Sequence, residues 1–202
     1  RAEAAWAIGE YEVAATYYKR AYSRTPATEK NERGRLSFLM GECYRHYGYS
    51  ARALGAYKAA ERYRYTDTTT FLRKGQMLLL QGDYRQAHDA FDKFLTLLDT
   101  SATANANRNT ASLRSMAENG LRSCEEGPVL KAASSLYTVK AAPLFNSNRS
   151  DFCPMLLGNS EDKDAQLFIT STRNASTGNE ISGITGQKNA DVFVAKKDEK
   201  GR

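Results

Sequence analysis

The residues of this chain that could do chemistry are few and scattered. Cys43 and His46 stand three apart, the spacing of two ligands on one helical face. A structural zinc needs four partners in a tetrahedron, and no C-x-x-C or further His joins them. Cys43 is therefore read as a buried helix cysteine. His46 and His88 have no Ser or Cys with a base partner at a recognised spacing, so no triad is supported. Asp162 and Asp164 flank Lys163 in a polar stretch and read as a solvated turn rather than a cation loop. Phosphate-loop and dinucleotide-binding glycine signatures are both missing. The expectation is a non-enzyme with no catalytic residue, no metal and no cofactor.

Charge points the same way. The formal net charge is +6, and the excess is spread along the chain with no block of like sign. A nucleic-acid binder usually shows a patch. Arg62-Tyr63-Arg64-Tyr65 interleaves base and aromatic, which would suit single strands, but at a helix end it reads as a packing seam with snorkelling arginines. No nucleic-acid partner is expected. The three cysteines, Cys43, Cys124 and Cys153, form no disulfide framework and leave the redox compartment open. There is no run of 18 apolar residues, so no transmembrane segment is expected. The chain opens at Arg1 without Met, and the expectation is that its true start lies upstream.

The elements that would hold these residues come from a repeat. Gly9-x-Tyr11-x-x-Ala14-x-x-x-Tyr18-x-x-Ala21 is echoed from Gly48, with Ala53, Tyr57 and Ala60 at matching places. A third copy is Gly82-x-Tyr84-x-x-Ala87-x-x-x-Phe91, 34 residues after the second. The first copy precedes the second by 39 residues, which places an insertion of five in the charged stretch Thr28 to Arg33. Gly41 and Gly75 each precede the turn glycine by seven, so each unit reads helix, glycine turn, helix. Small residues at Ala14, Ala53 and Ala87 permit close helix approach, and Tyr18, Tyr57 and Phe91 fill the gap toward the next repeat. Phe94 stands where a small residue is usual and is expected to widen the packing. Ser101 to Thr110 reads as a loop. Asn109 to Cys124 reads as a terminal helix, with Leu113, Met116, Ala117 and Leu121 on the face covering the last repeat.

The period, the Gly-x-x-Tyr of Gly41 to Tyr44 and the Ala-x-x-x-aromatic pattern resemble the tetratricopeptide (TPR) family over residues 1 to about 100. The first repeat is truncated to Ala2–Ile8 of its first helix. The resemblance implies an α-solenoid whose concave groove is lined by the first helix of each hairpin. Carried over residue by residue, the partner-binding groove is Glu3 and Trp6 in the partial repeat, Arg35, Phe38, Glu42, Arg45 and His46 in the second, and Leu72, Gln76 and Leu79 in the third. Such a groove takes an extended peptide or a partner helix. Phe38 and Leu79 are also candidates for plain core, and Arg35 and Arg45 for a solvated face.

After Gly127-Pro128 the periodicity changes. β-prone runs appear at Leu136–Val139, Gln166–Ser171 and Asp191–Ala195, parted by Asn-, Gly- and Ser-rich turns. Asn146-Ser147, Ser150 to Pro154, Leu167 to Arg173 and Ser182 to Gln187 resemble a blade of the WD40-like, TolB-type β-propeller. The fold expected is α + β and multidomain: 1–127 a TPR array with its covering helix, 128–202 the first, incomplete blade or blades of a propeller.

A TPR array followed by such a blade with its Thr-Gly-Gln insert resembles the PorE-like envelope lipoproteins of the Bacteroidota type IX secretion system. That resemblance implies a periplasmic, outer-membrane-associated scaffold, with its lipid anchor upstream of Arg1. Its partners would be other protein subunits of a secretion complex. Peptidoglycan would be met only through a C-terminal OmpA-like domain outside residues 1–202. Two alternatives stand beside it: a general TPR peptide-binding co-chaperone-like module, and a TolB-type propeller hydrolase. The three β-runs are one short of a four-stranded blade. They are expected to be stable only with more chain or along another subunit.

Overall fold

A computed structural model describes residues 1–100, 108–133, 135 and 137–196, with the backbone alone at 108 and 109. The chain divides into two compact units, Arg1–Ser135 and Leu136–Arg202. Among the described residues the first holds seven helices and the second a three-stranded antiparallel sheet. The fold is mostly helical with a small sheet following.

The helices are α1 (Ala2–Ala7), α2 (Tyr11–Arg24), α3 (Lys30–His46), α4 (Ser50–Arg62), α5 (Thr69–Leu80), α6 (Tyr84–Thr100) and α7 (Arg108–Ala132). Each packs on its neighbour in sequence, and α5 also meets α7. Three turns explain the recurrent glycine. Gly9, Gly48 and Gly82 have φ of 80°, 87° and 74°, the left-handed conformation that ends a helix at little cost only for glycine. The next amide donates five residues back in each case, Glu10 to Ala5, Tyr49 to Tyr44 and Asp83 to Leu78, so the ends of α1, α3 and α5 close in one way. Asp83 and Asp67 then accept amides of the first turns of α6 and α5.

The helical core has two buried clusters. One gathers Ala5, Ala14, Tyr18, Leu36 and Cys43; the larger gathers Tyr57, Leu72, Phe91, Phe94 and Ala117 with their neighbours. Its close contacts are set by glycine against aromatic. A Cβ on Gly41 would meet the Tyr57 ring at 2.6 Å, and one on Gly75 would meet the Phe91 ring at 2.7 Å. The aromatics therefore lean first on their own hairpin. Phe91 is also covered from α7, where a Cβ on Gly120 would meet it at 2.5 Å. Phe94 is fully buried, whereas Ala21 of the first copy is exposed.

The α7 helix departs from expectation at both ends of its face. Leu113, Ala117 and Leu121 pack on the core but Met116 is exposed. Helical structure also continues past Gly127 to Ala132 with Pro128 inside. An added Cβ at Gly127 would run into the Tyr84 ring, so only glycine fits there. The loop expected over Ser101–Thr110 is already helical from Arg108, and its residues 101–107 lie outside the described residues.

The sheet is β1 (Asp151–Leu157), β2 (Gln166–Ser171) and β3 (Asp191–Lys196), in that order. Two of the three expected strands are there. The third is not: Tyr137–Val139 has no regular structure, and Leu136 lies outside the described residues. The first strand is instead Asp151–Leu157, where Pro154 argues against a strand because it cannot donate to a ladder. A bulge between Phe152 and Met155, with Cys153 at φ 50°, takes Pro154 out of the pairing. The charged tail 197–202 lies outside the described residues.

Candidate functional site

The expected groove residues separate into two sets once placed. Leu72 is fully buried in the helical core, so it cannot line an open groove. Phe38 and Leu79 are half-buried against the same core, and Phe38 packs on Tyr57 and Tyr65 with centroids 5.9 and 5.5 Å away. Leu72 serves packing alone, whereas Phe38 and Leu79 pack on the core with part of their surface left open.

The others converge. Glu42 of α3, only 13% exposed at its side chain, meets donors from α3, α4 and α5. Tyr57 Oη of α4 donates to its Oε1 at 2.6 Å, and Arg45 Nη2 donates to Oε2 at 2.7 Å. Arg73 Nε of α5 approaches Oε1 at 3.5 Å, while Arg73 Nη1 donates to Gln76 Oε1 at 3.1 Å. Burial alone would raise the Glu42 carboxyl, but these donors overcome it and hold it below its ordinary value. Burial and the neighbouring Glu42 charge push the Tyr57 hydroxyl upward, so it stays a donor.

Arg45 extends the network to the end of α3. Its Nη2 lies 2.9 Å from His46 Nε2. A guanidinium only donates, so Nε2 must be the accepting nitrogen and His46 is neutral with its proton on Nδ1. Partial burial and the Arg45 charge lower the His46 pKa accordingly. The imidazole stacks on Tyr11 at 4.5 Å and 20° and meets the edge of Trp6 at 5.1 Å. Trp6 and Tyr11 are themselves edge to face at 5.1 Å. Arg35, in contrast, makes a bidentate pair with Glu32, both bonds 2.8 Å, and remains 42% exposed. Glu3 is exposed on α1.

The structure thus brings Trp6, Glu42, Arg45, His46 and Gln76 into one continuous network and leaves Arg35 and Glu3 at the surface. It adds Tyr11, Tyr57 and Arg73, which the expected groove lacks. Arg73 was missed because it stands one position after Leu72, outside the carried-over groove positions. Tyr57 was recognised as a wedge, not as a donor.

The remaining chemical candidates resolve simply. Cys43 is buried, its thiol pushed up to about 12 by burial, while His46 is exposed, so the two do not form a ligand pair. Asp162 accepts the Asn159 amide at 2.9 Å and closes the turn between β1 and β2. Tyr63 shares a hydrogen bond with Tyr22 at 2.8 Å, Arg33 lies over Tyr22 at 4.7 Å, and Tyr65 packs on Phe38, so the Arg-Tyr run is a packing seam. Among the described residues no helix is long and apolar enough to cross a membrane. No family model matches this chain, and no curated protein matches it.

Proposed function

We propose that this chain is a non-enzymatic scaffold: the helical unit Arg1–Ser135 is a TPR array whose groove holds a segment of a partner protein. The observation that carries the reading is the convergence of Trp6, Tyr11 and His46 with Arg45, Glu42 and Arg73. These side chains come from α1, α2, α3 and α5 and present partly exposed rings beside half-buried, mutually bonded charges. Rigid amphipathic rings beside pre-oriented guanidiniums are what peptide-binding surfaces use, because little side-chain freedom remains to be lost on binding. Recurrence of the Gly41–Tyr57 and Gly75–Phe91 contacts at one spacing, with the three like-closed glycine turns, supports the helical-repeat reading.

On the same reading the sheet unit is the opening of a TolB-type β-propeller. The chain then belongs with the PorE-like lipoproteins of type IX secretion, in the periplasm at the outer membrane, linking secretion subunits to the envelope. Its support is the order of helical and β parts and the blade-like motifs from Ser150 to Gln187.

The test is cross-linking and recovery of partners from native membranes with the wild-type chain and with a Glu3→Lys, His46→Ala variant, His46 being the exposed member of the network. Arg45 is left in place, since a carboxylate there would face Glu42 and load stability as well as binding. Both substituted side chains are solvent-facing, so the melting temperature should hold while recovery falls. Unchanged recovery would place the partner on another face or remove it.

A further inference from the structure

The α2–α3 and α4–α5 turns meet in a cluster of guanidiniums and phenols that the scaffold reading does not use. Arg33 donates through Nε to Thr25 O at 3.1 Å and through Nη1 to Tyr63 Oη at 3.3 Å, and its guanidinium lies over the Tyr22 ring at 4.7 Å. Tyr22 Oη and Tyr63 Oη are 2.8 Å apart. Tyr22 is the donor of that bond, which raises its own pKa and lowers that of Tyr63. A phenol oxygen has two lone pairs and one hydrogen. Tyr22 and Arg33 fill the lone pairs of Tyr63, so its hydrogen points away from both, toward an outside acceptor. Arg62 lies over the Tyr63 ring at 5.6 Å and is exposed. Arg33 and Arg62 are the charged groups that act on the phenol pair, with no carboxylate among them. The acids nearest in sequence are engaged elsewhere: Glu32 with Arg35, Glu61 with Lys74 and Lys93, and Asp67 with Thr69. Glu29 stays open, and one carboxylate does not offset Arg33, Arg62 and Arg64. The backbone adds an independent sign. The end of α4 closes as the glycine turns do, the Tyr65 amide donating to Ala60 O at 3.0 Å, but Arg64 holds the left-handed position at φ 57°. A side chain is strained there where glycine is not, and such strain persists where the residue has a use.

We infer that this edge binds a phosphate monoester on a side chain of a partner protein, its oxygens taken by the Tyr63 hydroxyl and the Arg33, Arg62 and Arg64 guanidiniums. Phosphate is favoured over carboxylate by number: three strong acceptor oxygens and a charge of about −2 match a hydroxyl donor among clustered guanidiniums. A side-chain phosphate is favoured over a membrane because Tyr22, Arg33 and Tyr63 are half-buried. Their donors are set back from the outer surface, within reach of a projecting group and not of a flat headgroup layer. The edge is separate from the Trp6–His46 groove, since Arg33 and His46 stand about 20 Å apart along α3. The inference rests on the scaffold reading for its protein partner, but phosphate binding is measured on the chain alone.

NMR titration of the whole chain with N-acetyl-phosphoserine amide in phosphate-free buffer tests it, with the N-acetylserine and N-acetylglutamate amides as comparisons. The expected result is saturable movement of the Arg33 Nε–H and Tyr63 amide signals by the phosphorylated probe and none by the serine probe. The glutamate probe should bind about tenfold more weakly or worse. Arg62 and Arg64 are both exposed, so the double variant Arg62→Gln, Arg64→Gly spares the core. It should weaken phosphoserine binding by about tenfold or more. Arg64→Gly alone should weaken binding while the melting temperature holds or rises, since glycine relieves the left-handed position. A role in packing alone would move the melting temperature and leave the affinity. Absence of saturation, equal affinity in the double variant, or equal binding of the phosphoserine and glutamate probes would overturn the assignment. So would binding confined to phosphatidic acid vesicles, or to a single-stranded oligonucleotide. Partner recovery through the groove does not depend on either result.

Discussion

Tyr57 shows how one side chain can carry two kinds of stability. Its ring is fully buried against Gly41 and Phe38, and its hydroxyl reaches the least exposed carboxylate of the helical network. Tyr57→Ala should cost about 3–5 kcal/mol, the scale for truncating a large buried aromatic. Tyr57→Phe keeps the ring and removes only the donor. It should cost about 1.5–3 kcal/mol, since the acceptor is charged and Glu42 is left with fewer donors. Chemical denaturation measures both. A shift below roughly 0.5 kcal/mol for the alanine variant would mean that the ring is not wedged as described. The ring's burial was legible from its place in the repeat. The hydroxyl's role was not, because its acceptor lies 15 residues away on another helix, a relation that periodicity does not encode.

The helices make glycine the informative residue of this chain, in opposite senses. Gly75 lies where a methyl group would meet Phe91 at 2.7 Å, and Phe91 has Gly120 behind it. The ring has little room to retreat, so Gly75→Ala should destabilise by about 1–3 kcal/mol despite alanine's better helix propensity. Gly55 lies on the exposed face of α4 with nothing within 4 Å of an added Cβ. Gly55→Ala should stabilise by about 0.4–1 kcal/mol, chiefly by restricting the unfolded chain. Thermal melts of the two single variants should move in opposite directions; a shift of the same sign in both would undo the argument. Helices were legible because glycine turns and apolar spacing agree. The β1 strand was not, because Pro154 reads as a strand breaker until the bulge beside it is seen. Tyr137–Val139 failed in reverse: β propensity describes a fit to a pleated surface, and these residues lie in no strand. Leu72 was assigned to the groove by carrying over the family's positions, and the next residue, Arg73, holds the position that reaches Glu42.

The two units differ in what holds them, and acid should separate them. The helical unit buries Tyr57, Leu72, Leu78, Phe91 and Phe94 almost completely. Among the described residues of the sheet unit, only Ala165 and Ile169 are buried apolar side chains, while Met155, Leu157 and Val192 are about 60% exposed. Polar bonds therefore carry a larger share in the sheet. Their centre is Asp151, which accepts from Ser171 Oγ, from the Ser147 amide and hydroxyl, and from Arg173, with Arg173 also lying over Phe193 at 4.7 Å. The Ser171 hydroxyl first, then the Ser147 amide and Arg173, hold its carboxyl far below the usual range. A carboxyl depressed in the folded state contributes stability above its unfolded pKa, about 3.9, and that contribution fades as pH falls below it. Asp191, lowered by its bonds to Thr177, adds in the same direction. Glu42 and Glu61 are depressed too, so the helical unit also weakens in acid, but its apolar core remains. Lowering the pH from 6 to well below that unfolded value should therefore weaken the amide signals of Phe168 and Ile169 progressively, and before those of α3 to α6. Asp151→Asn should lower the sheet's stability at neutral pH and flatten its further loss in acid, leaving the helical signals unaffected. Simultaneous loss of both sets, or an unaltered acid profile in the asparagine variant, would mean that the Asp151 network does not hold the sheet.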